Sequence, residues 1–217
     1  PTRRSSDLDS AGNAWIGTQN GIAKFDGTHW TVYTNSNTSL PSDQVFSLKV
    51  DKNDNIWIGI FGGLAKFDGT SWTIFTTSNS DLPDNFINEI VIGSNNEIWI
   101  GTTNGLVKFD GMSNWTIYNT SNSELPDDKI ITFSIDKNRN IWIAAMIRGL
   151  VKFDGTNWET YNTLNSGLPG NKINTLAIDA NDNVWIGIIG EGLTKYDGTN
   201  WTVFNEANSD IQCSSVS

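Results

Sequence analysis

The sequence predicts an all-β fold of the β-propeller class, built from five four-stranded blades. Three observations lead to this fold. Trp-Ile-Gly or a close variant recurs five times at intervals of 42 or 43 residues, a period within the range of propeller blades. Each repeat contains short apolar runs, and no stretch has the apolar spacing of an amphipathic helix. Asp-Gly, Asn-rich and Leu-Pro segments separate the runs, as expected for strands joined by tight turns.

The repeat assigns four strands in order. The first is an apolar run such as residues 87–92, and the third starts at a Gly and leads into Lys-aromatic-Asp-Gly. The second strand carries the first Trp of each unit, at Trp15, Trp57, Trp99, Trp142 and Trp185. The fourth strand starts at the second Trp, at Trp30, Trp72, Trp115, Trp158 and Trp201. A Leu-Pro segment then leads from each of four units into the next.

The second strand is apolar on both of its faces. In the second unit, three Ile side chains alternate with Trp57 and Phe61, so both sides of the strand must be covered. Small sheets arranged radially, each covering its neighbours, meet this requirement. A β-sandwich or a solenoid is the alternative architecture.

The recurrent residues have structural interpretations. We expect the Trp rings to fill the space between blades, and the Asp-Gly pairs to form hairpin turns in which the carboxylate accepts from nearby backbone N–H groups. The Lys before each Asp-Gly should lie near the same turn, solvated or paired with a carboxylate. Residues 51–55 place Asp and Asn as an EF-hand calcium loop does, but Ile56 and Gly62 stand where that loop needs Gly and Glu. A hairpin turn is therefore favoured over a calcium site.

Composition argues against several classes of function. The 217-residue chain has a net charge of -10, which disfavours nucleic acid as a partner. The chain has one His, His29, and one Cys, Cys213, and it shows no motif for Ser/His/Asp or Cys/His catalysis. No apolar stretch reaches the ~18 residues that a membrane helix needs. We therefore predict no enzyme, no catalytic residues, no metal, no cofactor and no membrane insertion of this segment.

The repeat resembles the two-component regulator propeller family. Units of that family carry Asp-x-x-Gly-Asn-x-Trp-Ile-Gly-Thr, then Gly-Leu-x-x-Phe-Asp-Gly, then a Trp strand and a Leu-Pro segment. The first unit carries this pattern at residues 9–18, 21–27, 30 and 40–41, and the pattern repeats to the end of the chain. Two departures are local, since Ala144 replaces the Gly after Trp-Ile in the fourth unit and Gly93 replaces the turn Asp in the third.

Variation among the internal copies indicates a candidate site. The loops between second and third strands differ from unit to unit, whereas the turns on the opposite side are nearly invariant. The candidate ligand-binding residues in these loops are Asn20, Phe61, Asn104, Met146, Arg148 and Glu191. They combine a charge pair with apolar and amide groups, which suits a polar ligand. Unselected loop variation is the alternative interpretation.

The resemblance implies recognition or sensing outside the cytoplasm. We accordingly expect an extracellular or periplasmic module of bacterial signal transduction that binds a polar small molecule, a glycan or a peptide on its loop-rich face. The resemblance places such domains ahead of sensor kinases or in secreted proteins with a sorting domain. A scaffold that binds another protein is the second hypothesis, and hydrolase or lyase chemistry is the third. The sequence does not indicate which oligomeric state the protein adopts.

The two ends of the chain carry further expectations. Residues 1–8 resemble the translation of a sequencing-library adapter, so we interpret them as non-native and residues 9–217 as the propeller. The first blade then begins near its second strand, and the tail from Ile211 to Ser217 could complete that blade and close a five-bladed ring. In the alternative interpretation, the chain is an arc of a larger propeller.

Overall fold

The computed structural model describes residues 5–145 and 147–211. Within these ranges the chain forms twenty strands in five antiparallel four-stranded sheets, and each sheet contains four strands that follow one another in sequence. The sheets coincide with the five repeats, so the predicted order of elements is confirmed. None of the described residues forms a helix long and apolar enough to cross a membrane.

The chain divides into two compact units, Pro1–Ile117 and Tyr118–Ser217, with the division inside the last strand of blade 3. Blade 1 consists of β1 (Ser5–Leu8), β2 (Ala14–Thr18), β3 (Gly21–Phe25) and β4 (Trp30–Tyr33). Blade 2 consists of β5 (Val45–Val50), β6 (Ile56–Ile60), β7 (Gly63–Phe67) and β8 (Trp72–Phe75). Blade 3 consists of β9 (Ile87–Ile92), β10 (Ile98–Thr102), β11 (Gly105–Phe109) and β12 (Trp115–Tyr118).

Unit 2 contains blades 4 and 5. Blade 4 consists of β13 (Ile130–Ile135), β14 (Ile141–Ala145), β15 (Gly149–Phe153) and β16 (Trp158–Tyr161). Blade 5 consists of β17 (Ile173–Ile178), β18 (Val184–Ile188), β19 (Gly192–Tyr196) and β20 (Trp201–Phe204).

Blade 1 differs from the expectation at its first strand. From the sequence we expected this blade to begin near its second strand, but Ser5–Leu8 pairs antiparallel with Ala14–Gly17, where the first strands of the other blades lie. The β1 segment lacks the apolar pattern of those strands, and Leu8 is 64% exposed. Its pairing uses backbone groups, which any sequence supplies. Residues 212–217, which we considered for the same position, and Cys213 among them, lie outside the described residues.

Neighbouring blades within each unit bury a common core. One buried cluster joins Trp15 of blade 1 to Ile58 and Phe67 of blade 2, and a second cluster joins blades 2 and 3 in the same way. In unit 2, a cluster joins Trp142 of blade 4 to Ile186 of blade 5. The rings of Trp15, Trp57 and Trp142 therefore lie between blades, as predicted.

Two glycines show why the repeat fixes their positions. A Cβ atom on Gly59 would lie 2.6 Å from Cγ2 of Ile87, so the Gly of Trp-Ile-Gly lets the next blade approach. Gly63 starts β7 at φ +140°, and its Cβ would lie 2.3 Å from the Phe75 carbonyl oxygen. No L-residue fits at Gly63 without a shift of the backbone.

The first Trp of a blade lies in a polar and aromatic setting that is illustrated by Trp57. Its indole Nε1–H donates to Asp51 Oδ2 over 3.0 Å, and Nζ of Lys66 lies 5.3 Å from the centroid of its ring. The ring of Phe75 stacks on it at 6.2 Å. All five such Trp residues have their Lys at 5.1 to 5.8 Å. The Lys residues thus form cation–π contacts with Trp, which we had not predicted.

Candidate functional site

The turns between first and second strands use their polar groups within the scaffold. Asp51 accepts from the backbone N–H groups of Asn53 and Asn55 at 2.8 and 3.0 Å, and from Asn55 Nδ2 at 2.8 Å. With the bond from Trp57, both carboxylate oxygens have two donors. The tract is therefore a hairpin turn rather than a calcium loop, and no cluster of three potential metal ligands occurs among the described residues.

Hydrogen bonding keeps the carboxylates of these turns ionised. Burial opposes the charge of Asp51, but the hydrogen bonds from Trp57 and Asn55 outweigh it and hold the pKa of Asp51 below its usual value. In the Asp-Gly turn of blade 2, the backbone N–H of Ser71 and the groups of Thr70 lower the pKa of Asp68 to about 2. Carboxylates with such pKa values do not hold the proton that a general acid must donate at neutral pH.

The departure at Gly93 is compensated within blade 3. Where blades 1, 2, 4 and 5 have Asp and Asn four residues apart, blade 3 has Gly93 and Glu97. A Cβ on Gly93 would lie 2.5 Å from Glu97 Oε1, so the Glu97 carboxylate occupies the space of the missing Asp. Glu97 Oε2 accepts from the backbone N–H of Asn95 over 3.0 Å. The same turn is thus stabilised from its other end.

The same turns also connect successive blades. Asp54, Asn96 and Asp182 have φ of 60°, 66° and 62°, a region that Asp and Asn tolerate better than most residues. Their side chains accept backbone N–H bonds from the preceding blade, for example from Lys52 to Asn96 Oδ1 at 3.0 Å. The near-invariance of this side of the sheets is therefore explained by turn geometry and by contacts between blades.

We call the connections between second and third strands the second loops. They comprise residues 19–20, 61–62, 103–104, 146–148 and 189–191. The last two are one residue longer, as predicted. All six candidate residues fall in these loops, but Met146 lies outside the described residues.

In unit 1, short linkers lie against successive second loops. In the linker at residues 41–44, the Asp43 carbonyl accepts from Gly21 N–H over 2.8 Å. The Gln44 carbonyl of the same linker accepts from Phe61 N–H over 3.2 Å. The linker at residues 83–86 accepts from Gly62 N–H at the Asn85 carbonyl over 3.2 Å. The loops of Asn20, Phe61 and Asn104 are thus joined through these linkers into one surface.

The side chains of Asn20 and Asn104 differ in the hydrogen bonds that they make within their loops. Both have a backbone N–H that donates over 3.0 Å to the hydroxyl of the Thr two residues earlier, Thr18 or Thr102, and both are exposed. The Asn104 side-chain amide also donates to the Pro83 carbonyl over 3.3 Å, and the hydroxyl of Thr103 donates to Asp84. Part of the hydrogen-bonding capacity of Asn104 is therefore used to hold its own loop.

Phe61 belongs to an aromatic patch that we did not predict from the sequence. Phe61 is 58% exposed, and its ring packs edge-on against Phe86 at 6.2 Å. Phe86 in turn contacts Phe46 at 4.8 Å. Phe46 and Phe86 also differ from their counterparts in the other repeats, where Asn or Ile replaces Phe46 and Gln or Lys replaces Phe86. Variation among the repeats, which singled out the second loops, would also have singled out these two positions.

In unit 2, the second loops expose both charged and apolar side chains. Arg148 and Glu191 are exposed, and Ile147 and Ile189 are 51% and 59% exposed. Ile189 N–H donates to the Lys172 carbonyl over 2.9 Å, which fixes this loop on the linker before β17. Among the described side chains, no ion pair joins Arg148 to Glu191. Both charged side chains are exposed on these loops, and their role in ligand binding stays a prediction.

Unit 2 also contains a groove that was not predicted. It has a volume of about 620 Å³ and lies between the rings of Tyr118, Phe153 and Trp158 and the linker residues 121–124. Trp158 stacks on Phe153 with centroids 4.0 Å apart. The three rings occupy repeated positions of the sequence, so the groove follows from the packing of consecutive blades.

Three segments, residues 39–62, 81–104 and 167–190, match the family described as two component regulator propeller. Each segment runs from a linker through the first two strands of a blade into its second loop. The chain carries two-component regulator propeller repeats. No curated protein sequence matches the chain significantly.

Solved propeller structures resemble these repeats. One is the extracellular domain of BT3049, described as a hybrid two component system of B. thetaiotaomicron, with a TM-score of 0.77 and 22% identity over 91% of this chain and 29% of that one. Virginiamycin B lyase from Staphylococcus aureus has a TM-score of 0.73 and 15% identity over 92% of this chain and 68% of that one. An ancestral GH74 enzyme has a TM-score of 0.68 and 16% identity over 94% and 31%.

At these identities the likeness establishes the fold. The predicted class, an all-β propeller with five four-stranded blades in this chain, is confirmed. The chain spans 29% of the length of the BT3049 domain. Both an extracellular domain of a two component system and enzymes share the fold, so activity has to be argued from the surface of this chain.

Proposed function

We propose that the chain is a non-enzymatic recognition module that binds its ligand through the second loops and the adjoining linkers. The observation that carries the proposal is the exposure of Phe61, Ile147 and Ile189 by 58%, 51% and 59%. Single exposed apolar residues are common, but Ile147 and Ile189 occupy equivalent loops of the two blades of unit 2, and Phe61 has the equivalent position within unit 1. Hydrogen bonds to the linkers hold two of these loops, so the apolar groups are presented on a fixed backbone.

A peptide suits this surface better than a glycan. Ile147 and Ile189 are aliphatic and suit contact with the apolar side chains of a peptide, whereas sugars pack mainly on aromatic rings. Arg148 and Glu191 lie beside them and can bind a carboxylate and an ammonium or amide group of a peptide. The Phe46, Phe61 and Phe86 patch of unit 1 is the part of the surface where a sugar ring could stack.

The resemblance to extracellular domains supports a location outside the cytoplasm. The propellers of two described two-component systems of B. thetaiotaomicron are extracellular. A module in that setting meets peptides and glycans of its surroundings, which accords with the ligand classes proposed here. A scaffold for another protein would use the same surface, because an exposed peptide segment of a folded partner presents the same groups.

Hydrolase or lyase chemistry receives less support from the geometry. The carboxylates of Asp51 and Asp68 are hydrogen-bonded within their own turns. They serve as turn-stabilising anions, since each accepts from at least three donors. The single His29 lies in the Asp-Gly turn of blade 1, where its backbone N–H donates to Asp26 over 2.7 Å.

The test is a binding screen of the chain on a random peptide array and on a glycan array. We expect peptide hits that carry apolar side chains. Ile189→Ser should weaken the binding of peptides held by unit 2 at least ~10-fold, and Phe61→Ser should do the same for peptides held by unit 1, as expected for loss of a buried contact of ~1.4 kcal/mol or more. Arg148→Ala and Glu191→Ala should weaken binding of hits with charged groups.

Met112→Ser is the matched control. Met112 is 80% exposed but lies in the turn between β11 and β12, away from the second loops. Retained binding in this variant is expected. Equal loss in Met112→Ser and Phe61→Ser, or no loss in either, would refute recognition through the second loops. Hits confined to the glycan array would replace the peptide with a sugar as ligand.

A further inference from the structure

The groove of unit 2 combines repeated and variable positions of the sequence. Its rings, Tyr118, Phe153 and Trp158, occupy repeated positions, but its charged residue, Glu124, does not. The equivalent position differs in the linkers after blades 1, 2 and 4, which have Ser39, Asp81 and Gly167. Blade packing therefore explains the aromatic wall of the groove, whereas the scaffold does not dictate the side chain of Glu124.

The residue at this position also affects how closely the linker approaches the next blade. A Cβ on Gly167 would lie 2.6 Å from Cβ of Trp201, so in the linker after blade 4 the backbone lies directly against that Trp. A residue with a side chain cannot approach its Trp as closely. The linker with Glu124 accordingly leaves a groove of about 620 Å³ beside Trp158. Binding sites for small molecules have volumes in this range.

The aromatic wall is held in place by a buried ring. Trp158 stacks on Phe153 with centroids 4.0 Å apart and an interplanar angle of 14°, and Phe153 is 2% exposed. Tyr118 lies 5.8 Å from Trp158 and 5.0 Å from Phe153. Trp158 and Tyr118 are only half-buried and line the groove. Both rings therefore present surface to a ligand from fixed positions.

The polar groups of the linker differ in the bonds that they already make. The hydroxyl of Ser121 donates to Asn119 Oδ1 over 2.6 Å, and the hydroxyl of Ser123 donates to the Asn119 carbonyl over 2.7 Å. In the part of the chain that the structure describes, neither a hydrogen bond nor an ion pair engages the Glu124 carboxylate. Glu124 is also the one charged group among the described residues that line the groove. An uncommitted negative charge thus lies beside aromatic rings.

This combination suits a cation that has no N–H groups. Aromatic rings attract a cation within about 6 Å of their centroid, and quaternary ammonium ligands are recognised in this way. The chain itself places a Lys ammonium at 5.1 to 5.8 Å from five of its Trp rings. A primary ammonium is strongly hydrated and needs acceptors for its N–H groups, whereas a quaternary ammonium needs none. The net charge of -10 attracts cations in general.

We propose that the groove beside Trp158 binds a small quaternary ammonium cation of the choline type as a free solute. Its methyl groups contact Trp158 and Tyr118, and its charge lies near the carboxylate of Glu124. The proposal concerns unit 2 alone and does not depend on the peptide proposed for the second loops. Because Glu124 and Thr156 at the groove are exposed, binding should be weak, with a dissociation constant on the order of 1 mM.

Two-dimensional NMR of the isotope-labelled chain during titration with choline chloride tests this proposal, with sodium chloride at equal concentration as the control for ionic strength. We expect the indole N–H signal of one Trp to shift and to saturate. This signal should be the one that is absent from Trp158→Phe, a variant that keeps a ring on Phe153. The neutral analogue in which carbon replaces the quaternary nitrogen has the same shape and should bind at least ~10-fold more weakly.

Two variants separate the carboxylate of the groove from general electrostatics. Glu124→Gln should weaken choline binding about 5-fold, because it removes the charge beside the rings. Glu159→Gln is the matched control. Glu159 follows Trp158 in β16 but pairs with Lys152, and successive side chains of a strand point to opposite faces. This variant removes the same charge and should leave choline binding unchanged, while circular dichroism verifies that each variant is folded.

Several results would overturn the proposal. These are the lack of a saturating shift up to roughly 100 mM choline, equal binding of the neutral analogue, and equal losses in Glu124→Gln and Glu159→Gln. A shift confined to the indoles of other Trp residues would also contradict it. Sedimentation of the chain with phosphatidylcholine vesicles, without a shift by free choline, would replace the solute with a lipid head group. Peptide binding is measured separately, so these results leave recognition through the second loops untouched.

Discussion

Replacement of Asp51 by Ala removes the acceptor for four donors at once. Two are backbone N–H groups in an exposed turn, where water can replace the carboxylate. The third is the side-chain amide of Asn55, which is half-buried, and the fourth is the indole N–H of Trp57, a residue that is 1% exposed. The buried indole N–H would be left without an acceptor, and this donor determines how much stability the variant loses.

The magnitude follows from these environments. A buried donor left without a partner costs about 1 to 3 kcal/mol, and each of the other bonds contributes about 0.5 to 1.5 kcal/mol. Because these contributions are not fully additive, we expect Asp51→Ala to lower the free energy of unfolding by about 3 to 5 kcal/mol. Asp9 has the same four kinds of donor but is only half-buried, so Asp9→Ala should cost less.

Urea unfolding followed by far-UV circular dichroism measures both variants. In a Trp57→Phe background, which lacks the indole donor but keeps a ring, the cost of Asp51→Ala should fall by about 1 to 3 kcal/mol. A cost of Asp51→Ala below about 1 kcal/mol, or the same cost with and without Trp57, would refute the assignment of Trp57 as the main partner.

Two further predictions concern turn geometry and pH. Gly63→Ala should destabilise the fold strongly, because its Cβ would lie 2.3 Å from a carbonyl oxygen. Gly69→Ala should cost less, because a Cβ there meets open space at φ +94°. Thermal unfolding compares the two variants, and equal losses of stability would contradict this prediction. Hydrogen bonds, chiefly from the backbone N–H groups of Ser71 and Met112, lower the pKa of Asp68 and Asp110 to about 2. Their stabilisation is therefore complete above the unfolded pKa of ~3.9 and lost as pH falls toward about 2, which urea titrations at several pH values will show.

The blade repeat was predictable because its residues meet strict geometric needs. Gly59 and Gly63 recur since a side chain would collide with the next blade or with the adjacent strand. The contact of Lys66 with Trp57 could also have been derived, because the hairpin register places the two residues directly opposite each other. We predicted only a solvated or carboxylate-paired Lys, having considered the turn but not the cross-strand pair.

Features that depend on backbone pairing or on several repeats were not accessible from the pattern. The β1 segment has no apolar alternation, and its position beside β2 follows from backbone hydrogen bonds. Phe46 lies at a bulge between Val45 and Ser47, where the strict alternation of faces fails. Its contact with Phe86 joins two blades, and such a contact is not visible in one copy of the repeat.

The native status of residues 1–8 remains a prediction. The segment contributes a strand to blade 1, and Asp7 accepts from the backbone N–H of Val50 over 2.9 Å. Any sequence able to extend can form the backbone pairing with β2, so that pairing is compatible with an adapter-derived segment. Sequencing of the genomic locus decides the question, because a clean locus that encodes these eight residues would contradict the adapter interpretation.

Hydrogen exchange measured by mass spectrometry, with and without the tightest-binding peptide from the array, tests recognition through the second loops most directly. We predict slower exchange in the linkers at residues 41–44 and 83–86 and in the second loops, with the Asp-Gly turns unchanged. Protection confined to the Asp-Gly turns or to the groove beside Trp158 would contradict this account, because hydrogen bonds within the turns explain the first and blade packing explains the second.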